Sequence, residues 1–159
     1  MSDFYQHGMI TTLQKLKDRP VEELNAELES ISRRRRIVLL LPALISEFDT
    51  PSMPVILEEL KQVTFLHRVV LSLDRASEED FLRVRRMLAE LPMDVRIVWH
   101  DGPRMQALYD ELRASHFSLD TPGKGRSVWM TMGSILADES IYAMALHDTD
   151  ILNYRREML

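Results

Sequence analysis

The chain contains no cysteine. That excludes a disulfide scaffold, thiol catalysis and thiolate metal sites, and it fits a reducing compartment. A basic excess is also missing: 20 Lys and Arg stand against 25 Asp and Glu, a formal net charge of -5. Nucleic acid is therefore not expected as a partner, because gripping a phosphate backbone needs a net basic surface. Long apolar runs are absent too. The stretch Ile37 to Ile45, interrupted by Pro42, falls well short of the roughly 20 residues that span a bilayer. The opening MSDFYQHGMITTLQKLKDRP has no basic segment leading into an apolar one, so it does not read as a secretory signal. A cytoplasmic location is the expectation. With 45% hydrophobic and 28% charged residues among 159, the chain has enough material for one ordinary globular core.

What is present is an alternation of periods. Residues 8–32 read as helical, with Leu13 and Leu16 on one face. Pro20 opens a second helix that has Glu22 and Glu23 in its first turn and Leu24, Leu28 and Ile31 at helical spacing. The run Arg33 to Arg36 reads as a solvated helix end. Ile37 to Leu41 is a continuous apolar strand expected to stop at Pro42, as a strand buried on both faces would. A helix follows over 52–63 with Val55, Ile56, Leu60 and Val63 inward, then a strand from Arg68 to Leu73 ending at Asp74. Ser77 is the expected N-cap of a helix reaching about Leu91. Val95 to Trp99 is a third strand, and Pro103 starts a helix to about Ser115. Lys124 to Ala137 is helical with Val128, Met132 and Leu136 in register, while Trp129 is expected in the core. Ile141 to Leu146 is a fourth strand, and a further helix is expected to begin in residues 152–159.

Strands separated by helices of about a dozen residues predict right-handed βαβ units and a mostly parallel sheet. The fold class is thus α/β and Rossmann-like. Residues 1–36 form an N-terminal helical extension, which either packs on the sheet or mediates a homodimer, and residues 37–159 form the α/β domain. In such sheets ligands bind beyond the carboxyl ends of the strands. Those ends carry Pro42-Ala43, Asp74, His100-Asp101 and Asp148-Thr149-Asp150.

Two motifs carry chemistry. Asp148-Thr149-Asp150 places two carboxylates directly after an apolar strand, and such hard oxygen donors suit Mg²⁺ or Mn²⁺ completed by phosphate and water. Pro122-Gly123-Lys124-Gly125-Arg126 precedes a helix. Its glycines permit close backbone approach, the helix start favours anions, and Lys124 supplies a point charge. It is not a P-loop, since G-x-x-x-x-G-K-[ST] is absent. Each motif alone has a plain structural alternative, a strand-ending turn or a loop-to-helix turn. His67 and His116 read as structural or surface residues, and His147 as pointing away from Asp148.

The order strand-PAL (42–44), strand-Asp74, GKG (123–125) with Trp129, and strand-DTD resembles the GT-A fold of nucleotide-sugar glycosyltransferases. More closely it is similar to the group of retaining enzymes that includes the glucosyl-3-phosphoglycerate and mannosylglycerate synthases. The resemblance implies transfer of a hexose from a UDP- or GDP-linked sugar to a small hydroxyl acceptor such as a glycerate derivative, with Mg²⁺ or Mn²⁺ as cofactor. It implies that Pro42, Ala43 and Leu44 border the nucleoside and that Asp74 bonds the base region. Lys124 and Gly125 would touch the diphosphate or sugar, Asp148 would face ribose or the donor sugar, and Asp150 would ligate the metal. Glu47, Gly123 and Thr149 complete the expected nucleotide-sugar set, with Asp148 and Lys124 as the catalytic pair. The chain departs from the pattern at Ile45-Ser46-Glu47, where the group usually has Asn-Glu-Glu, and at Arg126, where an acidic or small residue is usual. Such enzymes continue past the triplet with an acceptor-binding half, so the chain reads as a donor-binding half truncated before it.

Two other readings compete. A haloacid-dehalogenase-type phosphatase also uses D-x-D, as nucleophile and acid/base, but its motif follows the first strand rather than the fourth. A non-catalytic α/β binding or interaction module would need no chemistry at the triplet at all.

Overall fold

In the computed structural model, residues 19–119 and 121–159 are described. The expected helix around Leu13 and Leu16 lies outside them. The elements run α1 (Val21–Ser32), β1 (Arg36–Leu44), a 3₁₀ turn (Ile45–Asp49), α2 (Ser52–Leu60), β2 (Leu66–Asp74), α3 (Glu78–Leu88), β3 (Asp94–Trp99), α4 (Pro103–Ala114), α5 (Lys124–Leu136), β4 (Ile141–Leu146) and a 3₁₀ turn (Arg156–Met158). All strand pairs are parallel, in the order β3-β2-β1-β4. The expected α/β class with a parallel sheet is what the chain forms.

Alternation along the strands sends side chains to two cores. Leu39, Leu41 and Ala43 of β1 and Val69, Leu71 and Leu73 of β2 meet Met53, Ile56 and Leu60 of α2 and Val84 and Leu88 of α3. Val38, Leu40 and Val70 face the other way, against Ile135, Val128 and Met132 of α5 and Met105 of α4. Two-sided burial is why β1 reads as an unbroken apolar run. The connections β1–β2 and β2–β3 therefore cross one face, and the return from β3 to β4 crosses the other. The sheet reverses its winding between β1 and β4, the switch point where a crevice opens at the strands' carboxyl ends.

Several expectations are corrected. β1 does not stop at Pro42 but continues to Leu44. The carbonyl of Leu40 accepts from the His147 N–H at 3.2 Å and that of Pro42 from the Thr149 hydroxyl at 2.8 Å. Even-numbered residues of β1 therefore bond toward the β4 side. β4 pairing ends at Leu40↔Leu146, so Pro42's missing N–H removes no ladder bond. In α2, Val55 is 39% exposed whereas Met53 and Leu57 are buried. Trp129 and Leu136 are also exposed, Trp129 resting against Phe117 with ring centroids 6.0 Å apart. Within residues 152–159 only a short 3₁₀ turn, Arg156–Met158, forms rather than an α-helix. Pro20 does cap α1, and Ser77 does cap α3, in a reciprocal capping box with Asp80. Among the described residues no helix is long and apolar enough to cross a membrane.

Candidate functional site

A cleft of about 170 Å³ opens at the switch point. Its walls are Pro42, Ala43 and Leu44 from the end of β1, Glu47 from the 3₁₀ turn, Asp74 from the end of β2, Gly123 and Lys124 at the start of α5, and Asp148, Thr149 and Asp150 after β4. The fold thus brings together every residue of the expected nucleotide-sugar and metal set except Gly125, while Pro122, Arg126 and Trp129 of the GKG segment also lie outside the lining. Gly125 is exposed and does not line the cleft, and a Cβ added there would meet nothing within 4 Å. Gly123 is the glycine the backbone requires: φ is 156° and ψ is 172°, a region essentially closed to other residues.

Each wall is set by local chemistry. Lys124 begins α5, whose first intrahelical bond runs from the Ser127 N–H to the Gly123 carbonyl at 3.1 Å. The N–H groups before it have no intrahelical acceptor, which makes this an anion-favouring helix start. The Lys124 ammonium pairs with the Asp148 carboxylate across the cleft mouth, with side chains 56% and 47% exposed. So exposed a pair holds the two walls together only loosely. Asp150 is exposed and, among the described residues, has neither a hydrogen bond nor an ion pair. Thr149 behaves differently from its neighbours. It is 2% exposed, and its hydroxyl lies against the Pro42 carbonyl and the Glu47 carboxylate. Its carbonyl accepts from Ser52 Oγ at 2.8 Å. Thr149 therefore pins the loop, and so presents Asp148 and Asp150 to solvent on either side of itself.

Three lining residues were not found from the sequence: Ser72, Arg75 and Ser127. Ser127 Oγ donates to Asp74 Oδ2 at 2.7 Å, tying the first turn of α5 to the end of β2. Asp74 also accepts from the Arg75 N–H at 2.9 Å, so its role is partly structural. Arg75 is a non-glycine residue held at φ 59°, a strained backbone setting of the kind found at binding sites. Its exposed guanidinium has no partner among the described residues. The one available signal for Arg75 was its place directly after the strand-ending Asp74.

The described histidines do not line the cleft. His147 Nδ1 bonds the Tyr154 hydroxyl at 2.9 Å, turned away from Asp148 as strand alternation implies. Burial pushes the His147 pKa down, against a smaller opposing effect of Asp148. His116 is exposed at φ 68°. Among the described residues no group of three or more histidine, aspartate or glutamate side chains converges as a metal cage. Asp150 fits a narrower role, a single hard oxygen ligand for a cation whose other ligands come from phosphate and water.

Fold and cleft together define a class: a Rossmann-like α/β unit with a charged crevice at the switch point of a parallel sheet. Over almost its whole length the chain is similar to the glucosyl-3-phosphoglycerate synthase of Persephonella marina, with 56% identity over 158 residues, 99% of this chain and 39% of that protein. It is also similar to the glucosyl-3-phosphoglycerate synthase of Methanococcoides burtonii, with 31% identity over 153 residues, 96% of this chain and 37% of that protein. The resemblance to glucosyl-3-phosphoglycerate synthases, first read from the PAL, GKG and DTD motifs, is thus shown. The chain spans about two fifths of the length of these curated relatives. No protein-family model matches it, and no solved structure does.

Proposed function

We propose that the chain forms the donor-binding portion of a glycosyltransferase. It would move a hexose from a UDP- or GDP-linked sugar to a small hydroxyl acceptor such as a glycerate derivative. The observation that carries this reading is the gathering of Lys124, Asp148 and Asp150 around one crevice at the switch point. Similarity to two proteins named for a glucosyl transfer supports it.

In this reading the apolar wall of Pro42, Ala43 and Leu44 borders the nucleoside. Lys124 exchanges Asp148 for the donor's phosphate oxygens, joined by the first N–H groups of α5 and by the guanidinium of Arg75. As the bond to the anomeric carbon breaks, negative charge grows on the departing nucleoside diphosphate, and a preplaced ammonium stabilises that charge more than it stabilised the ground state. Asp148, freed of its lysine, accepts from hydroxyls of the ribose or donor sugar. Asp150 would hold a divalent cation, Mg²⁺ or Mn²⁺, which would supply charge neutralisation and Lewis acidity for the departing diphosphate. Because one carboxylate makes a poor cage, metal and donor should bind together rather than in sequence.

Titration calorimetry with UDP-glucose and with GDP-mannose, with and without Mn²⁺, tests this. The expected result is binding that requires Mn²⁺ and is markedly weakened in Asp150→Ala. Binding indifferent to both would overturn the reading. Absence of any nucleotide-induced shift in melting temperature would leave a non-catalytic α/β module.

A further inference from the structure

Behind the cleft lies a polar cluster sealed from solvent on the α4/α5 face of the sheet. His100, at the end of β3, is 1% exposed, and with it are Ser72 of β2 at 1%, Thr131 of α5 at 0% and Tyr109 of α4 at 0%. His100 Nε2 lies 2.8 Å from Ser72 Oγ and 3.4 Å from Thr131 Oγ1, while Nδ1 lies 2.7 Å from the Tyr109 hydroxyl. Of these residues only Ser72 also lines the cleft.

The hydrogens can be assigned by exclusion. Thr131 Oγ1 donates its one hydrogen to the Ser127 carbonyl at 2.8 Å, so toward His100 it can only accept. If Nε2 were the bare nitrogen, two lone pairs would face each other there. If Nε2 carries the hydrogen, it donates to Ser72 Oγ with Thr131 Oγ1 alongside, and Nδ1 accepts from Tyr109. Burial keeps the phenol protonated and pushes the imidazole toward its neutral form, with Asp74 and Asp101 opposing the second effect and Arg126 assisting it. In this arrangement Ser72 Oγ is an acceptor within the cluster. Its own hydrogen then has no recipient among the described residues.

We propose that His100 is a positioning residue which, held as the Nε2–H tautomer, makes Ser72 a hydrogen-bond donor into the cleft, aimed at an acceptor oxygen of the bound nucleotide. The same cluster reaches the anion-facing helix start, because Thr131 bonds the Ser127 carbonyl and Ser127 Oγ bonds Asp74. His100 therefore links the donor at the cleft floor to the placement of Lys124. The ligand half of this inference rests on the proposed function. The tautomer and the helix placement do not.

The first experiment needs no ligand. Long-range ¹⁵N–¹H correlation of the wild-type imidazole at neutral pH should show His100 protonated at Nε2, and a proton on Nδ1 would overturn the proposal. Amide exchange then compares His100→Leu with His100→Gln, whose amide can still give a hydrogen to Ser72 and accept one from Tyr109. Exchange at residues 126–128 should accelerate in the first variant and return toward wild type in the second. Equal protection in all three proteins would overturn the positioning role. Finally, UDP with Mn²⁺ should bind Ser72→Ala about three- to tenfold more weakly than wild type, the loss of one neutral hydrogen bond. Unchanged UDP affinity would overturn the donor role. If wild type bound no UDP, the glycosyltransferase reading would fail and Ser72 would lose its assigned recipient, while the tautomer and exchange results would still decide the positioning role.

Discussion

The two ends of the sheet use charge in opposite ways. At the amino ends of the strands, Arg68 is only 12% exposed at its side chain and bridges Asp94 at 2.5 Å and Asp138 at 3.2 Å. Arg36 donates to Ser140 Oγ at 2.9 Å. The Arg68 charge is answered within the chain by two carboxylates, while the Arg36 guanidinium meets a neutral hydroxyl. At the carboxyl ends, Asp150 and Arg75 have no such partner among the described residues, and Lys124 and Asp148 answer each other only across an exposed cleft mouth. The difference lies in whether neighbouring ions neutralise one another. Ions neutralised within the chain, as Arg68 is by Asp94 and Asp138, hold strands in register, whereas ions that remain available can accept a charged molecule.

Substitutions can break this contrast, beginning with the largest expected effect. Asp150→Ala should weaken Mn²⁺-dependent UDP-glucose binding by about tenfold to a hundredfold, as loss of a charged ligand group does. Its melting temperature should match wild type, because no described contact is removed. Arg68→Ala should do the reverse, lowering the melting temperature by about 3–6 °C by stranding two carboxylates, with UDP-glucose affinity little changed. A binding defect in Arg68→Ala measured well below its melting temperature would erase the distinction between the ends. Arg75→Ala should reduce nucleotide affinity by about three- to tenfold and leave stability unchanged or slightly raised, since alanine carries less side chain but keeps the strained φ.

The smallest effect is a pH response confined to the amino end. The Ser140 hydroxyl, and then Arg68, hold the Asp138 carboxyl down from 3.8 to about 2. A carboxyl depressed on folding contributes stability above its unfolded value and loses it as pH falls through the folded one. Urea midpoints should therefore drop more steeply for wild type than for Asp138→Asn between pH 3.8 and about 2. Parallel curves would mean that Asp138 is not coupled to folding.

Much of the cleft was legible because its residues announce themselves locally. Asp148 and Asp150 follow an apolar strand, and Gly123-Lys124 precedes a helix, so motif and element boundary coincide. Ser72, Arg75 and Ser127 carried no such mark. A serine inside an apolar strand or in the first turn of a helix has many ordinary explanations, and its value here depends on His100 and Asp74, 28 and 53 residues away. Phase errors in the helices have a similar origin. Val55 and Leu57 are equally apolar, and only the position of α2 over β1 and β2 turns one outward and the other inward.

What the sequence settled by itself is the order of elements, the burial of β1 on both faces and the chemical character of the strand ends, because those follow from hydrophobic period and from residues at element boundaries. Tertiary structure alone decided which boundary residues share a cleft. It turned Thr149 inward as a pin between two outward carboxylates, left Gly125 outside, and gave Asp150 no partner among the described residues. Pairing and availability depend on distances between segments far apart in the chain, and these arise only when the sheet closes in the order β3-β2-β1-β4.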